Sequence, residues 1–170
     1  MGVFGRGFWY SLQSSGLLVW GFSGQIVVVF EDLVDGEKLG QPHYAVPFLA
    51  PNTTGRILLH RVNYASGGGG IMNATGRIFV NMLSMDIQID YFNITRKQID
   101  KLLGASKARD FIMKKSIFSV TVGSNDFLNN YLLPVLSIGA RVSESPDAFI
   151  DDFLNQFKGQ LTVMRFVKLF

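Results

Sequence analysis

Two short stretches place small polar groups where an apolar segment stops. Gly-Ser-Asn-Asp at 123–126 follows the apolar run 117–122, and four glycines at 67–70 follow the strand-like segment 61–65. Glycine N–H groups and an asparagine amide can donate hydrogen bonds to an oxygen that becomes negative during acyl transfer, and one such donor is worth about 3 kcal/mol. Taken separately, both stretches are also typical of ordinary turns.

Ser66 and Ser124 stand beside these stretches and are the candidate nucleophiles. A serine hydroxyl is a weak nucleophile unless a base accepts its proton. The sequence has two histidines, His43 and His60, and neither is predicted to lie beside either serine. Ser66 also lacks the GxSxG elbow of a typical hydrolase nucleophile. Hydrogen bonding to backbone or turn groups is therefore the favoured role for both hydroxyls.

The glycine run does not match a nucleotide-binding loop. A P-loop needs GxxxxGK[ST], but Arg77 follows Gly76, and the GxGxxG pattern is absent. The chain also has no cysteine, and its histidines are not in a metal-ligand spacing such as HxxxH. Cysteine-ligated zinc and thiol nucleophiles are excluded, and no cofactor or metal is expected.

The bulk composition is that of a folded chain long enough for one domain. Of the 170 residues, 48% are hydrophobic and 17% charged, which excludes a disordered tail. The net charge of +3 comes from scattered lysines and arginines without a basic stripe. Nucleic acid is therefore not an expected partner.

Residues 1–30 form an atypical hydrophobic segment, with no charge between Arg6 and Glu31. Three interpretations stay open, namely a hydrophobic leader followed by one strand, a signal peptide, or a membrane anchor. Membrane association is therefore undecided. Three N-glycosylation sequons begin at Asn52, Asn73 and Asn93, and they favour the secretory pathway and a secreted protein.

Hydrophobic periodicity predicts alternating strands and helices. Residues 84–103 have mostly helical spacing, and 105–115 read as a second helix with a basic end. Strands are expected at about 26–30, 61–65 and 117–122, with helices near 96–114 and 146–165. The first helix is expected to break near Asn93. The alternation predicts a parallel sheet with helices on its faces, and the nearly continuous apolar character of 117–122 predicts a strand covered on both faces.

Four stretches together resemble the plant GDSL esterase/lipases of the SGNH hydrolase superfamily. They are EKLGQPHYAVPFLAP (37–51), VNYASGGGGI (62–71), QIDYF (88–92) and SIFSVTVGSNDFLNNYL (116–132). The resemblance covers roughly residues 31–160. It implies a three-layer α/β/α, flavodoxin-like parallel sheet, and hydrolysis of a small-molecule ester or lipid by serine acyl transfer without a cofactor.

The resemblance also implies roles for individual residues. Asn125 is similar to the asparagine whose amide donates to the oxyanion in this family, and Gly68 is similar to the glycine whose N–H does the same. Gly67 is the alternative register for that glycine. Gly123 would permit the turn before Asn125.

The sequence departs from the family pattern in the other half of the site. The family has a nucleophilic serine in a GDSL block and a late Asp-x-x-His, and neither occurs here. The nearest match to the first block is FEDLVDG at 30–36, but the preferred interpretation is that this block is deleted. Residues 1–30 would then be unrelated sequence, and 31–170 a partial hydrolase domain with an incomplete sheet.

These departures leave several hypotheses for function. The first is a carboxylic-ester hydrolase, as the family implies. The second is a catalytically inactive, truncated remnant that keeps only the oxyanion half of the site. A third is an acyl- or carbohydrate-binding protein that uses the retained cleft. For the chain as it stands, we expect no activity.

Overall fold

The computed structural model describes residues 23–30, 45–76, 82–132 and 145–169, and for 23–30 it describes the backbone. The N-terminal residues 1–22 and His43 lie outside this part of the chain. The strands are β1 (Ser23–Phe30), β2 (Val46–Pro47), β3 (Arg61–Asn63), β4 (Ser66–Gly67) and β5 (Ser116–Thr121). The helices are a 3₁₀ helix (Gly55–Leu59), α1 (Met85–Leu103), α2 (Ala105–Lys115), a π-helical turn (Asp126–Tyr131) and α3 (Pro146–Leu169).

Strand β1 lies at the centre of the sheet. β3 pairs with one edge of β1, with Val27 opposite Asn63, and β4 continues along that edge with Ser23 opposite Gly67. β5 pairs over residues 25–30 of β1, with Gln25 opposite Thr121. The short strand β2 is parallel to β3. β3 and β5 therefore point in the same direction on either side of β1.

The direction of β1 differs from the all-parallel sheet that the strand–helix alternation predicts. β1 is antiparallel to β3, β4 and β5, whereas β2, β3 and β5 share one direction. The apolar run of β1 specifies burial, but a run of valines reads the same in either direction and so does not encode strand polarity. The α/β class and the incomplete sheet agree with the sequence analysis.

Helix α1 packs against the sheet, and its buried side chains form much of the main core. Its buried residues recur at helical spacing, and they are Met85, Gln88, Ile89, Phe92, Thr95, Arg96 and Ile99. Phe92 makes an edge-to-face contact with Phe118 of β5 at a centroid distance of 5.1 Å. The helix passes through Asn93 without the expected break and ends at Gly104, which has a φ of +82°.

Strand β5 is covered on one face, rather than on both as predicted. Phe118 and Val120 pack against the core cluster, whereas Ile117 on the opposite face is 59% exposed. A strand's side chains alternate between the two faces of the sheet, so the exposed set is 117, 119 and 121. Within the described residues this arrangement is an incomplete form of the three-layer architecture.

Helix α3 begins as the sequence predicts and closes the core from the C-terminal side. The Ser145 hydroxyl accepts a hydrogen bond from the Ala148 N–H at 3.2 Å, which is an N-cap, and Pro146 is the first helical residue. Near the other end, the buried Arg96 of α1 donates to the Val167 carbonyl and forms an ion pair with Asp100 at 2.9 Å. Among the helices described, none is long and apolar enough to cross a membrane.

Burial of Tyr64 should make the free energy of unfolding depend on pH in the alkaline range. Its hydroxyl donates to Thr95 Oγ1 at 2.8 Å, and burial raises the pKa of Tyr64 above its ordinary value of 10.0. The unfolded state loses this proton first, so the free energy of unfolding should fall as the pH rises above 10. We expect Tyr64→Phe to flatten that fall in urea titrations. An identical pH dependence for the variant and the parent would contradict this assignment.

Candidate active site

The two candidate loops leave the sheet at the same end. The register places Thr121, at the end of β5, opposite Gln25, and places Gly67, at the end of β4, opposite Ser23. Because these two partners lie two residues apart on β1, the chain that follows β4 and the chain that follows β5 emerge side by side. The sheet therefore brings the glycine run and the Gly-Ser-Asn-Asp segment together.

Asn125 is fixed directly against the glycine run. Its side chain is 1% exposed, and its Nδ2 donates to the Gly69 carbonyl at 2.7 Å. Asn129, one turn further along, donates its own amide to Asn125 Oδ1 at 3.1 Å. These two bonds set the orientation of the Asn125 amide. An amide carries two N–H groups, and the bond to Gly69 uses one of them.

Asp126 connects the same segment to the chain after the glycines. Its carboxylate is fully buried and accepts hydrogen bonds from the Ile71 N–H at 3.0 Å and the Met72 N–H at 2.8 Å. The Thr75 hydroxyl donates to the same carboxylate at 2.7 Å. A buried charge needs such donors to replace its lost hydration. Asp126 therefore holds residues 71–75 in one arrangement relative to Asn125.

Glycine is required at specific places in this arrangement. Gly68 and Gly123 have φ values of +78° and +118°, a region that other residues rarely adopt. The value at Gly123 agrees with the prediction that it permits the turn before Asn125. Gly70 is required for space, since a Cβ there would lie 2.6 Å from Asp126 Oδ1 and 2.6 Å from the Thr75 methyl group.

Helix α3 packs over both loops. Gln156 and Gln160 donate their side-chain amides to the Ile71 carbonyl at 2.9 and 2.8 Å. Phe153 lies against Gly123, where an added Cβ would meet the ring at 3.1 Å, and its ring is tilted by 58° to that of Phe127 at a centroid distance of 5.2 Å. The helix thus restrains the site from one side with both polar and aromatic contacts.

Of the two serines near the loops, Ser66 has the role favoured from sequence. Ser66 is 9% exposed, and its hydroxyl accepts a hydrogen bond from the Leu83 N–H at 2.8 Å, so it holds the loop that follows β4. Ser124 is exposed. His60 is exposed and precedes β3, at the opposite end of that strand from Ser66. Across the described segments, no histidine is positioned to accept a proton from either serine.

The structure brings the two residues singled out from sequence into one region. Asn125 contacts the carbonyl of Gly69, the neighbour of Gly68, while Gly67 belongs to β4. The oxyanion role of Gly68 and Asn125 stays a prediction. Sequence reasoning missed the network around them, which consists of Asp126, Thr75 and Asn129. In the part of the chain that the structure describes, no group of three or more histidine or acidic residues could hold a metal ion.

Comparison with known proteins places the chain in a family. The family model of the GDSL-like lipase/acylhydrolases matches residues 18–169. Two proteins of Arabidopsis thaliana, GDSL esterase/lipase At2g23540 and GDSL esterase/lipase At3g50400, are 65% and 64% identical to this chain over 127 and 126 residues. These alignments cover 75% and 74% of the chain but 33% and 34% of the relatives.

The chain thus spans about one third of the length of these curated relatives. No solved structure matches it. The family match includes the strand β1, both loops of the site and all of helix α3. The chain belongs to the family of GDSL-like lipases and acylhydrolases.

Proposed function

We propose that this chain carries the oxyanion-binding half of a serine ester hydrolase site that acts on small-molecule carboxylic or lipid esters. The observation that supports the proposal is the bond from Asn125 Nδ2 to the carbonyl of Gly69, the residue that follows Gly68 in the chain. Asn125 and Gly68 are the donors, and Asp126 is a positioning residue that fixes the loop they share.

The chemistry requires these donors at one step. When a serine oxygen attacks an ester carbonyl, the carbonyl oxygen becomes an oxyanion and the serine proton passes to a base. The second N–H of Asn125 and the N–H of Gly68 donate to that oxyanion. Burial of Asn125 keeps water from competing for its amide, and a preorganised donor in such a site stabilises charge more strongly than it would in water.

The nucleophile and the base are the half of the site that this sequence does not supply. It contains neither a GDSL tetrapeptide nor an Asp-x-x-His. Ser66 is engaged with Leu83, so it does not replace the family nucleophile. The chain by itself should therefore supply donors for the oxyanion but no nucleophile that would form it.

The isolated chain should be inactive for this reason. Purified 1–170 with a short-chain p-nitrophenyl ester should show the same rate as its Asn125→Ala variant, since donors lower the barrier only when a nucleophile attacks. A faster rate for the parent, blocked by a serine-directed organophosphate, would contradict this expectation. Ser66→Ala and Ser124→Ala would then identify the serine responsible.

A chimeric enzyme tests the proposed function itself. The matching 127-residue segment of GDSL esterase/lipase At2g23540 would be replaced by the segment of this chain to which it aligns, with the rest of that protein retained. The proposal predicts ester hydrolysis by the chimera that depends on Asn125. An active chimera that does not depend on Asn125 would contradict it, as would a folded chimera without activity when the parent protein hydrolyses the same ester.

We further propose that the protein is secreted and takes part in lipid degradation. The three sequons support the first part, because N-linked glycans are added in the secretory pathway. The lipase name shared by the Arabidopsis relatives supports the second. Fractionation of cells that express the chain with a C-terminal tag would test secretion, and tag confined to the cytosol would contradict it.

A further inference from the structure

We propose that Asn52 is an N-glycosylation site of this protein and that Asn73 and Asn93 are not. All three begin an Asn-x-Thr sequon, so sequence alone does not separate them. The structure separates them through the two groups that a sequon supplies, which are the asparagine amide and the hydroxyl of the third residue. An attached glycan is bulky and needs an exposed position.

The sequon at Asn52 leaves both groups exposed. Asn52 and Thr54 are exposed residues in the loop between β2 and the 3₁₀ helix. Thr54 is the N-cap of that helix, but its side chain makes no capping hydrogen bond. A glycan on Asn52 would therefore break none of the side-chain contacts found in the described part of the chain.

The loop around Asn52 is nevertheless well defined. The middle residue, Thr53, is 4% exposed, and its hydroxyl donates to the Pro47 carbonyl at 2.7 Å. The Thr53 N–H donates to the Ala50 carbonyl at 3.0 Å, and the Thr54 N–H donates to the Asn52 carbonyl at 2.8 Å. The backbone and Thr53 fix the turn, so the Asn52 side chain is presented outward from a rigid base.

In each of the other two sequons, the hydroxyl of the third residue is buried and takes part in the fold. Asn73 is exposed like Asn52, but its amide donates to Asp86 Oδ2 at 2.7 Å, and Thr75, the third residue of its sequon, is fully buried against Asp126. Asn93 lies in the middle of helix α1 and is half-buried. Its third residue, Thr95, is fully buried and accepts the hydroxyl of Tyr64. A glycan on Asn73 would replace one hydrogen of the amide that donates to Asp86, and a glycan on Asn93 would have to fit at a half-buried helical position.

The modification is a group transfer to the Asn52 side chain. Its donor is a lipid-linked oligosaccharyl diphosphate. The bond from the sugar anomeric carbon to the phosphate oxygen breaks, and a bond from that carbon to Asn52 Nδ2 forms. Nδ2 loses one proton, which passes to water, and the lipid diphosphate is the leaving group. No oxidant or reductant takes part.

To test the proposal, the full chain is expressed in plant leaf cells with a cleavable secretory leader. The leader ensures that the parent and every variant enter the secretory pathway. Protein from both the medium and the cell extract is treated with a glycan-releasing amidase, which converts each modified asparagine to aspartate, and is then mapped by peptide mass spectrometry. We expect conversion at position 52, with Asn73 and Asn93 unchanged.

Three variants serve as matched controls. The glycosylated parent should migrate more slowly in gel electrophoresis than the amidase-treated protein. Asn52→Gln should abolish this difference, while Asn73→Gln and Asn93→Gln should keep it. Because Asn52 is exposed, its replacement should leave the fold and the urea midpoint unchanged. An unmodified Asn52 in the recovered protein, or a difference in migration that persists in Asn52→Gln, would overturn the proposal. Modification of Asn73 or Asn93 would overturn the structural distinction among the sequons.

Discussion

Asn125→Ala in the At2g23540 chimera is expected to lower kcat by about 10²–10³-fold, as the loss of one oxyanion donor does in other hydrolases. The Asn125 amide is oriented by Asn129 and bonded to Gly69, so it is preorganised for a charge that exists only in the transition state. An interaction of that kind raises kcat without tightening substrate binding. KM should therefore change little, and steady-state kinetics with a p-nitrophenyl ester separates the two parameters.

A neighbouring asparagine provides the control for this prediction. Asn130 lies in the same π-helical turn and contributes none of the bonds described around Asn125. Asn130→Ala should leave kcat within about twofold of the parent chimera, a difference worth less than about 0.5 kcal/mol. Equal losses in the two variants, or a loss confined to KM in Asn125→Ala, would contradict the role assigned to Asn125.

Asp126→Ala is expected to lower the free energy of unfolding of this chain by about 4 kcal/mol. The substitution removes the acceptor of three hydrogen bonds and leaves the N–H groups of Ile71 and Met72 and the hydroxyl of Thr75 without it. A donor left unpaired in the interior costs about 1–3 kcal/mol. Urea denaturation followed by circular dichroism measures the change.

An exposed aspartate shows whether the effect belongs to the network. Asp110 forms an i,i+4 ion pair with Lys114 at 3.1 Å, and both side chains are mostly exposed. Asp110→Ala should cost no more than about 0.5 kcal/mol, because solvent screens such pairs. Asp126→Asn, which keeps one acceptor oxygen, should fall between the two. A loss for Asp126→Ala that equals that for Asp110→Ala would show that the buried carboxylate does not hold the loop.

The helices and the strand positions were predictable because periodicity reports burial. Helix α1 shows apolar residues at helical spacing, and α3 adds a serine cap and a proline at its first turn, so local sequence specifies both. The predicted strand at 61–65 was too long, since β3 ends at Asn63 and β4 resumes at Ser66. Element boundaries depend on pairing with β1, which local sequence does not record.

The direction of β1 and the exposure of one face of β5 were not predictable from the sequence. An apolar run indicates that a strand is buried, but it does not give the strand's polarity or the number of layers on it. Ile117 is apolar and yet 59% exposed, because its side chain points away from the face that packs on the core. Such features depend on how distant segments are connected and packed.

The two proposed oxyanion donors were predictable from the sequence, but the residues that hold them in place were not. Gly68 and Asn125 belong to motifs that stand out in sequence, whereas the groups that fix them are distant along the chain. Asp126 accepts from donors 51 to 55 residues away, and only folding brings them together. The polar residue that follows Asn125 was the one available signal, and its partners after the glycine run could not be read from local pattern.

The most direct test of the shared oxyanion site is a crystal structure of the active chimera after reaction with a phosphonate ester. The covalent adduct on the catalytic serine mimics the tetrahedral intermediate, and its phosphoryl oxygen stands in for the oxyanion. We predict that this oxygen lies about 3 Å from both the Gly68 nitrogen and Asn125 Nδ2. A phosphoryl oxygen bound by other donors, with neither Gly68 nor Asn125 within hydrogen-bonding distance, would contradict the account.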